Sequence, residues 1–324
     1  MLKDSFGRVI DYMRISVTDR CNLRCRYCMP DGIERKPMAE ILRYEEIAFV
    51  CAQAAALGIS RFRITGGEPL VRKDCPVLVA MLKQIPGVRQ VSLTTNGVLL
   101  AEHLDALTGA GLDAVNVSLD TMDREQYRRI TGMDEAERVL ASIRRAAGKL
   151  PVRINCVVQE GFNEDAPVQL AALAKELPVD VRFIELMPIG AARGLKMVPN
   201  TEVLRMLEEV FGPALPDPES RGSGPAVYRR IAGFAGRIGF ISAVHEKFCD
   251  TCNRLRLTSA GELKPCLCYG DVVPLREILR DPEPGKEERI REKIREAVRI
   301  KPKAHCFENT AAVTEKRKMN QIGG

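Results

Sequence analysis

Through the first two-thirds of the chain, short apolar runs alternate with longer stretches whose apolar positions recur at helical spacing. The runs predict strands at 13–17, 61–65, 91–95, 114–118, 152–158 and 181–185. Between them the pattern predicts helices at 44–57, 76–84, 101–110, 135–149 and 166–176. A strand and a helix recurring about every thirty residues point to right-handed βαβ units and a parallel sheet. Periodicity does not choose between an open doubly wound sheet and part of a barrel. Either way, ligands sit at the C-terminal ends of the strands. Residues of marked chemistry fall there: 18–28 after the first strand, Gly66-Gly67-Glu68-Pro69 after the second, Asn96-Gly97 after the third, Asp120 after the fourth.

Beyond Met187 the pattern changes. A helix is expected at 201–210, followed by 212–225, whose Pro, Gly and Ser content reads as a linker. Residues 227–243 alternate and carry Gly233, Gly236 and Gly239, predicting antiparallel strands. A charged helix at 286–299 and a polar tail ending in Gly323-Gly324 complete the chain. We therefore expect one large α/β unit over 1–222 and a smaller α+β region over 223–324.

Composition adds little to this. Hydrophobic residues make up 45% of the 324-residue chain and charged residues 28%, as in ordinary soluble proteins. The polar start has no signal-peptide character, no run is long enough to span a bilayer, and a cytoplasmic protein is expected. A net charge of +6 suits an anionic small molecule as well as nucleic acid. No basic run interleaves with aromatics, so a nucleic-acid groove is not indicated.

The cysteines change the picture. Six of eleven form two tight sets, Cys21/Cys25/Cys28 and Cys249/Cys252/Cys266. In a reducing compartment, clustered thiols are more often metal ligands than crosslinks. Three thiolates at C-x-x-x-C-x-x-C spacing satisfy three irons of a [4Fe–4S] cube and leave one open to chelate a small molecule. The plainer readings are structural zinc or a cube whose fourth cysteine lies elsewhere. For the second set the plainer reading is a zinc ribbon completed by Cys268 or His245. Cys51, Cys75 and Cys156 read as small buried hydrophobes.

With Tyr27 before its last cysteine, the first set resembles the hallmark of radical S-adenosylmethionine enzymes. The resemblance implies a partial (β/α)6 TIM barrel, an open iron that binds S-adenosylmethionine, and a 5′-deoxyadenosyl radical that abstracts hydrogen. Gly66-Gly67-Glu68-Pro69 is similar to the family's second motif, whose glycines let the backbone approach the cofactor's methionine end. Tyr27, Gly67, Ser118 and Met187 match its cofactor contacts.

The segment 248–257 closely resembles the C-terminal signature of the GTP 3′,8-cyclase family, which opens molybdenum cofactor biosynthesis. That resemblance runs nearly end to end. It implies a second [4Fe–4S] cluster on Cys249, Cys252 and Cys266, with an open iron toward the guanine of GTP. Arg14, Arg63, Thr94, Arg153 and the run Arg254-Leu255-Arg256 match the family's GTP contacts, although Arg153 stands where Lys is usual. Arginine forks suit a triphosphate, and Arg254 and Arg256, two apart on a strand, share one face. The Gly323-Gly324 ending matches a tail that enters the active site. The implied reaction is radical cyclisation of GTP to (8S)-3′,8-cyclo-7,8-dihydroguanosine 5′-triphosphate, with methionine and 5′-deoxyadenosine as by-products. Implied partners are GTP, an electron donor and the cyclic pyranopterin monophosphate synthase that takes the product. A homodimer is left open, and neither nucleic acid nor membrane is expected. The rival readings are a peptide-modifying radical enzyme with an auxiliary cluster and a non-enzymatic iron–sulfur or zinc module.

Overall fold

The structure, a computed structural model, describes residues 1–32, 36–219 and 222–323. Six strands carry the first two-thirds: β1 (Tyr12–Ser16), β2 (Arg61–Thr65), β3 (Gln90–Thr95), β4 (Ala114–Ser118), β5 (Val152–Val157) and β6 (Val179–Ile184). Helices α1 (Tyr44–Ala56), α2 (Cys75–Lys83), α3 (Leu100–Gly109), α4 (Arg124–Thr131), α5 (Ala136–Ala147) and α6 (Ala166–Glu176) connect them. The expected elements form within one or two residues. The addition is α4, a short polar helix started by the Asp123 side chain accepting the Gln126 N–H at 2.7 Å and ended by Gly132 at φ +74°.

The rest of the chain supplies α7 (Asn200–Phe211), β7 (Ala214–Asp217), β8 (Val227–Ile231), β9 (Ile238–Ile241), β10 (Arg254–Leu257), β11 (Glu262–Lys264) and β12 (Val273–Pro274). Helices α8 (Arg276–Arg280), α9 (Lys286–Arg299) and α10 (Met319–Ile322) follow. The expected linker differs from expectation: within it, residues 214–217 form an edge strand by pairing antiparallel with β8.

Among the described residues, twelve strands join one sheet in the order β12-β11-β10-β1-β2-β3-β4-β5-β6-β9-β8-β7. From β10 through β9 every neighbouring pair is parallel. The C-terminal region thus extends the six βα strands at both edges, β9 beside β6 and β10 beside β1, and the sheet crosses the expected boundary at residue 222 unbroken. Its two end strands, β12 and β7, do not pair with each other, so the barrel is partial.

Alternation along the strands divides the sheet's faces. Met13, Ile15, Phe62, Ile64, Val91, Leu93, Val115, Val117, Val152, Ile154, Leu255 and Leu257 are buried in one continuous core with the helices. The opposite face is polar. A smaller apolar cluster of Ile189, Leu267, Phe307, Val313 and Ile322 anchors the C-terminal segment.

Candidate active site

The polar face is built from the residues that alternate with the core set. Arg14 pairs in register with Arg256 on one side and Arg63 on the other. Farther round, Thr94, Asn116 and Arg153 stand side by side, and Asn155 pairs with Arg182. Tyr12 and Arg254 face each other one step nearer the strand starts. Six guanidiniums, from Arg14, Arg63, Arg153, Arg182, Arg254 and Arg256, therefore share one surface. Gly239 makes room there, because a Cβ would stand 2.9 Å from both the Arg182 and the Tyr228 side chains.

The surface is short of both counter-charge and hydrogen-bond partners. Burial, and then the neighbouring arginines, push Arg63 and Arg256 down to about 9. Arg153 stands 3.9 Å from Asp180, while Arg182 donates to Asn155 at 2.9 Å and to Asn116. Among the described residues, Arg14 Nε, Arg153 Nε, Arg256 Nε, Thr94 Oγ1 and the Tyr12 hydroxyl are buried without a hydrogen-bond partner. Buried donors are ordinarily satisfied, and a guanidinium fork is satisfied best by a phosphate or carboxylate. The face fits a multiply charged anion.

Cys21, Cys25 and Cys28 lie on the loop that leaves the C-terminal end of β1. Burial, then Cys28, Asp120 and Cys21 together, push the Cys25 thiol well above its ordinary range; burial and Cys21 take Cys28 up to about 12. Asn96 Nδ2 lies 3.7 Å from Cys21 Sγ, and the Leu23 N–H donates to the same sulfur at 3.4 Å. Among the described residues, no three His, Cys, Asp or Glu side chains converge on a single metal ion. A cube does not require that convergence, because each iron takes one thiolate.

Glu68 braces this end. Its carboxylate accepts from the Leu70 N–H (3.0 Å), Thr95 Oγ1 (2.8 Å) and the Asn96 N–H (2.6 Å), and burial lifts it to about 7. The preceding glycines are required by the cysteine loop itself. A Cβ on Gly67 would lie 2.3 Å from the Arg20 carbonyl oxygen, and one on Gly66 2.7 Å from that of Thr18. The Gly67 N–H donates to Thr18 O at 2.7 Å. The close approach anticipated for a cofactor is thus made first by the chain. Tyr27 donates to Asp120 at 2.8 Å, Ser118 ends β4 on the polar face, and Met187 packs against the smaller apolar cluster.

Cys249 and Cys252 immediately precede β10, and Cys266 follows β11, which runs antiparallel to β10. Because β1 and β10 are parallel and in register, the two cysteine sets flank the arginine face from opposite ends of the strands. Cys249 Sγ accepts the backbone N–H of His305 at 3.4 Å. Burial raises Cys252, but Arg254 and Lys301 outweigh it and bring the thiol to about 6. His245, the other candidate for completing a zinc site, is held 2.8 Å from Glu185, and Cys268 Sγ lies 3.3 Å from Cys306 Sγ.

Leu255 is the expected contact that departs from the set. Its side chain is fully buried on the helix-packed face, opposite Arg254 and Arg256, because neighbours on a strand alternate. Gly324 lies outside the described residues. Gly323, at φ +74°, rests over the polar face, where a Cβ would be 3.2 Å from Ser16 Cβ and 3.3 Å from Thr65 Oγ1. Those residues stand two positions beyond Arg14 and Arg63, so the tail caps the arginines. Sequence reasoning missed Tyr12, two residues before Arg14 and just ahead of the strand expected at 13–17, and Arg182, on the strand expected at 181–185; the offset of Tyr12 from Arg14 was a usable signal. It also missed Glu185, whose carboxylate ties β6 to the Val244 and His245 N–H groups at 2.9 and 3.0 Å.

Comparisons with known proteins agree with this architecture. The profile of the Radical SAM superfamily matches residues 15–174, and that of Molybdenum Cofactor Synthesis C matches 179–307. The GTP 3′,8-cyclase of Moorella thermoacetica is 46% identical over the whole of both chains, and that of Pelotomaculum thermopropionicum 45%. Streptococcus suis SuiB bound to S-adenosylmethionine superposes with a TM-score of 0.66 at 12% identity, covering 97% of this chain and 78% of that one. Native anSMEcpe with bound AdoMet gives 0.56 at 17%, covering 86% and 82%. These two structures share the fold. Full-length identity at this level places the chain in the GTP 3′,8-cyclase family of radical S-adenosylmethionine enzymes.

Proposed function

We propose that the chain cyclises GTP to (8S)-3′,8-cyclo-7,8-dihydroguanosine 5′-triphosphate, with the triphosphate on the arginine face and the base toward the second cysteine set. The observation that carries this reading is the row of buried arginines between two cysteine triads, with Arg14 Nε, Arg256 Nε, Thr94 Oγ1 and the Tyr12 hydroxyl lacking hydrogen-bond partners among the described residues. The family's cofactors are S-adenosylmethionine and two [4Fe–4S] clusters; here Cys21, Cys25 and Cys28 would hold one cluster and Cys249, Cys252 and Cys266 the other. When bound, the first cluster supplies the electron that cleaves S-adenosylmethionine and so generates the hydrogen-abstracting radical.

The chain's own residues bind, orient and enclose. Arg14, Arg63, Arg153, Arg254 and Arg256 grip phosphate oxygens and exchange mutual repulsion for attraction. Thr94 and Tyr12 offer hydroxyls to the same ligand. Tyr27, Gly67, Ser118 and Met187 surround S-adenosylmethionine beside the first triad. The capping tail keeps water from the reacting atoms, and holding the ribose against the hydrogen acceptor is the enzyme's main contribution to rate.

The reaction draws electrons, so an external reductant belongs to the proposal, as does hand-over of product to the cyclic pyranopterin monophosphate synthase. Among the described residues, no helix is long and apolar enough to cross a membrane. The test is anaerobic incubation of reconstituted protein with S-adenosylmethionine, a reductant and each nucleoside triphosphate in turn, with products read by mass spectrometry. The cyclised nucleotide should form from GTP alone; consumption of S-adenosylmethionine with no GTP-derived product would overturn the reading.

A further inference from the structure

Two buried cations fasten the loops of the second cysteine set, and they differ in one respect. Arg8 donates to the Cys249, Lys303 and Pro302 carbonyls, each at 2.7 Å, and its charge is met by Asp4 at 2.6 Å. Lys301, just beyond α9 and 4% exposed, donates to the Arg254 carbonyl at 3.0 Å and to that of Pro265, the residue before Cys266, at 2.7 Å. No carboxylate lies within ion-pair distance of Lys301 among the described residues. Burial works against its charge, as do Arg254 and Arg256, and the groups that favour it are Cys252 and Cys266.

A buried ammonium with neutral carbonyl partners and two cationic neighbours is costly unless an anion stands near it. A cube held by three thiolates is a net anion and gains a further negative charge on reduction, and its potential follows nearby charge, hydrogen bonding and solvent access. We propose that Lys301 is the charge partner of the second cluster, a positioning residue whose ammonium favours the cluster's reduced state and the electron-withdrawing character of its open iron. Arg8 holds the same loops and bears on Cys249, but with a charge already balanced by Asp4. The proposal rests on the second cluster described under Proposed function.

The test uses full-length, anaerobically reconstituted protein with iron content matched between variants. The second cluster is followed by EPR-monitored potentiometric titration, in a Cys25→Ala background that removes the first signal. Lys301→Gln keeps an N–H donor and removes the charge; Lys301→Arg keeps the charge. In Lys301→Gln the reduced-to-oxidised ratio at a fixed potential should fall about tenfold, a midpoint more negative by about 59 mV for a one-electron couple. Lys301→Arg should remain near the wild-type midpoint. Equal midpoints for Lys301→Gln and wild type at equal cluster content would overturn the proposal. If Lys301→Gln does not load the second site, loading by Lys301→Arg supports a role for charge, and failure of both overturns it. Absence of a second signal in the otherwise unaltered Cys25→Ala protein would count against the second cluster itself, not against the assignment of Lys301.

Discussion

Arg256 sits on the face with its Nε unpartnered and its charge opposed by burial and by Arg14 and Arg254. Such a group gains more from an anion than a solvated arginine does. Arg256→Ala should weaken GTP binding by about 1.5–3 kcal/mol, the range for a charge-assisted hydrogen bond. Calorimetry should show guanosine, which has no phosphates, bound nearly equally by both proteins; unchanged GTP affinity would remove Arg256 from the phosphate site. The thiols of the cluster-free protein should also differ in pH response. Cys252, at about 6, is a thiolate at neutral pH, whereas Cys28, at about 12, remains a thiol. Alkylation follows the thiolate fraction. Raising the pH through the neutral range and beyond should therefore leave iodoacetamide labelling of Cys252 level while that of Cys28 keeps climbing. Peptide mapping that found parallel pH profiles would contradict the cationic setting assigned to Cys252.

At the level of strands and loops, β2 and the cysteine loop are joined by backbone contacts that leave no room for a side chain. Gly67→Ala would place a methyl 2.3 Å from the Arg20 carbonyl oxygen, so the loop bearing Cys21 must move. We expect a loss of about 1–3 kcal/mol, as for other overpacked sites, together with iron retained at the second set only. Thermal unfolding and iron analysis test this, and an alanine variant with full iron and unchanged stability would show that the loop yields freely. Register between β1 and β10 has a comparable role. A one-residue slip of β10 would turn Arg254 and Arg256 into the core and Leu255 onto the polar face.

For the molecule as a whole, the two triads lie at opposite ends of one polar sheet face that the tail caps, although they are far apart in sequence. Cys25→Ala should abolish cleavage of S-adenosylmethionine, whereas Cys266→Ala should retain it and lose cyclisation, each with about half the iron, one cube of two. Wild-type cyclisation by the Cys266→Ala protein would sink this division of labour. The tail is strapped down well before its end. Glu315 pairs with buried Lys264, Arg317 reaches Glu262 at 2.6 Å, Asn320 donates to the Asp19 carbonyl at 2.9 Å, and Ile322 is fully buried. Removing Gly323 and Gly324 should therefore leave both clusters loaded and some S-adenosylmethionine cleavage intact. Yield of cyclised nucleotide should drop sharply, since a displacement of about 1 Å can cost about 10²-fold in a positioned reaction. Equal yields at matched iron content would make the tail a bystander.

Much of this was legible along the chain. Strand–helix alternation determined the parallel sheet, because apolar periodicity is a local consequence of how side chains alternate on strands and recur on helices. Cysteine spacing marked the first triad, whose members share one loop, and Cys249 with Cys252; Cys266 joins them because β11 runs antiparallel to β10 and returns the chain to the start of β10. The two-residue offset of Arg254 and Arg256 already placed both on one face. Other features were decided only in three dimensions. The flanking of the arginine face from opposite ends depends on β10 joining β1 in parallel, a pairing between segments some 240 residues apart. The gathering of Tyr12 and Arg182 with the motif arginines, the edge strand inside the expected linker and the cation at Lys301 depend in the same way on long-range packing. No local pattern encodes which distant segments become neighbours; that follows from burying one face of every strand at once, which leaves the opposite face, with its arginines, turned away from the helices.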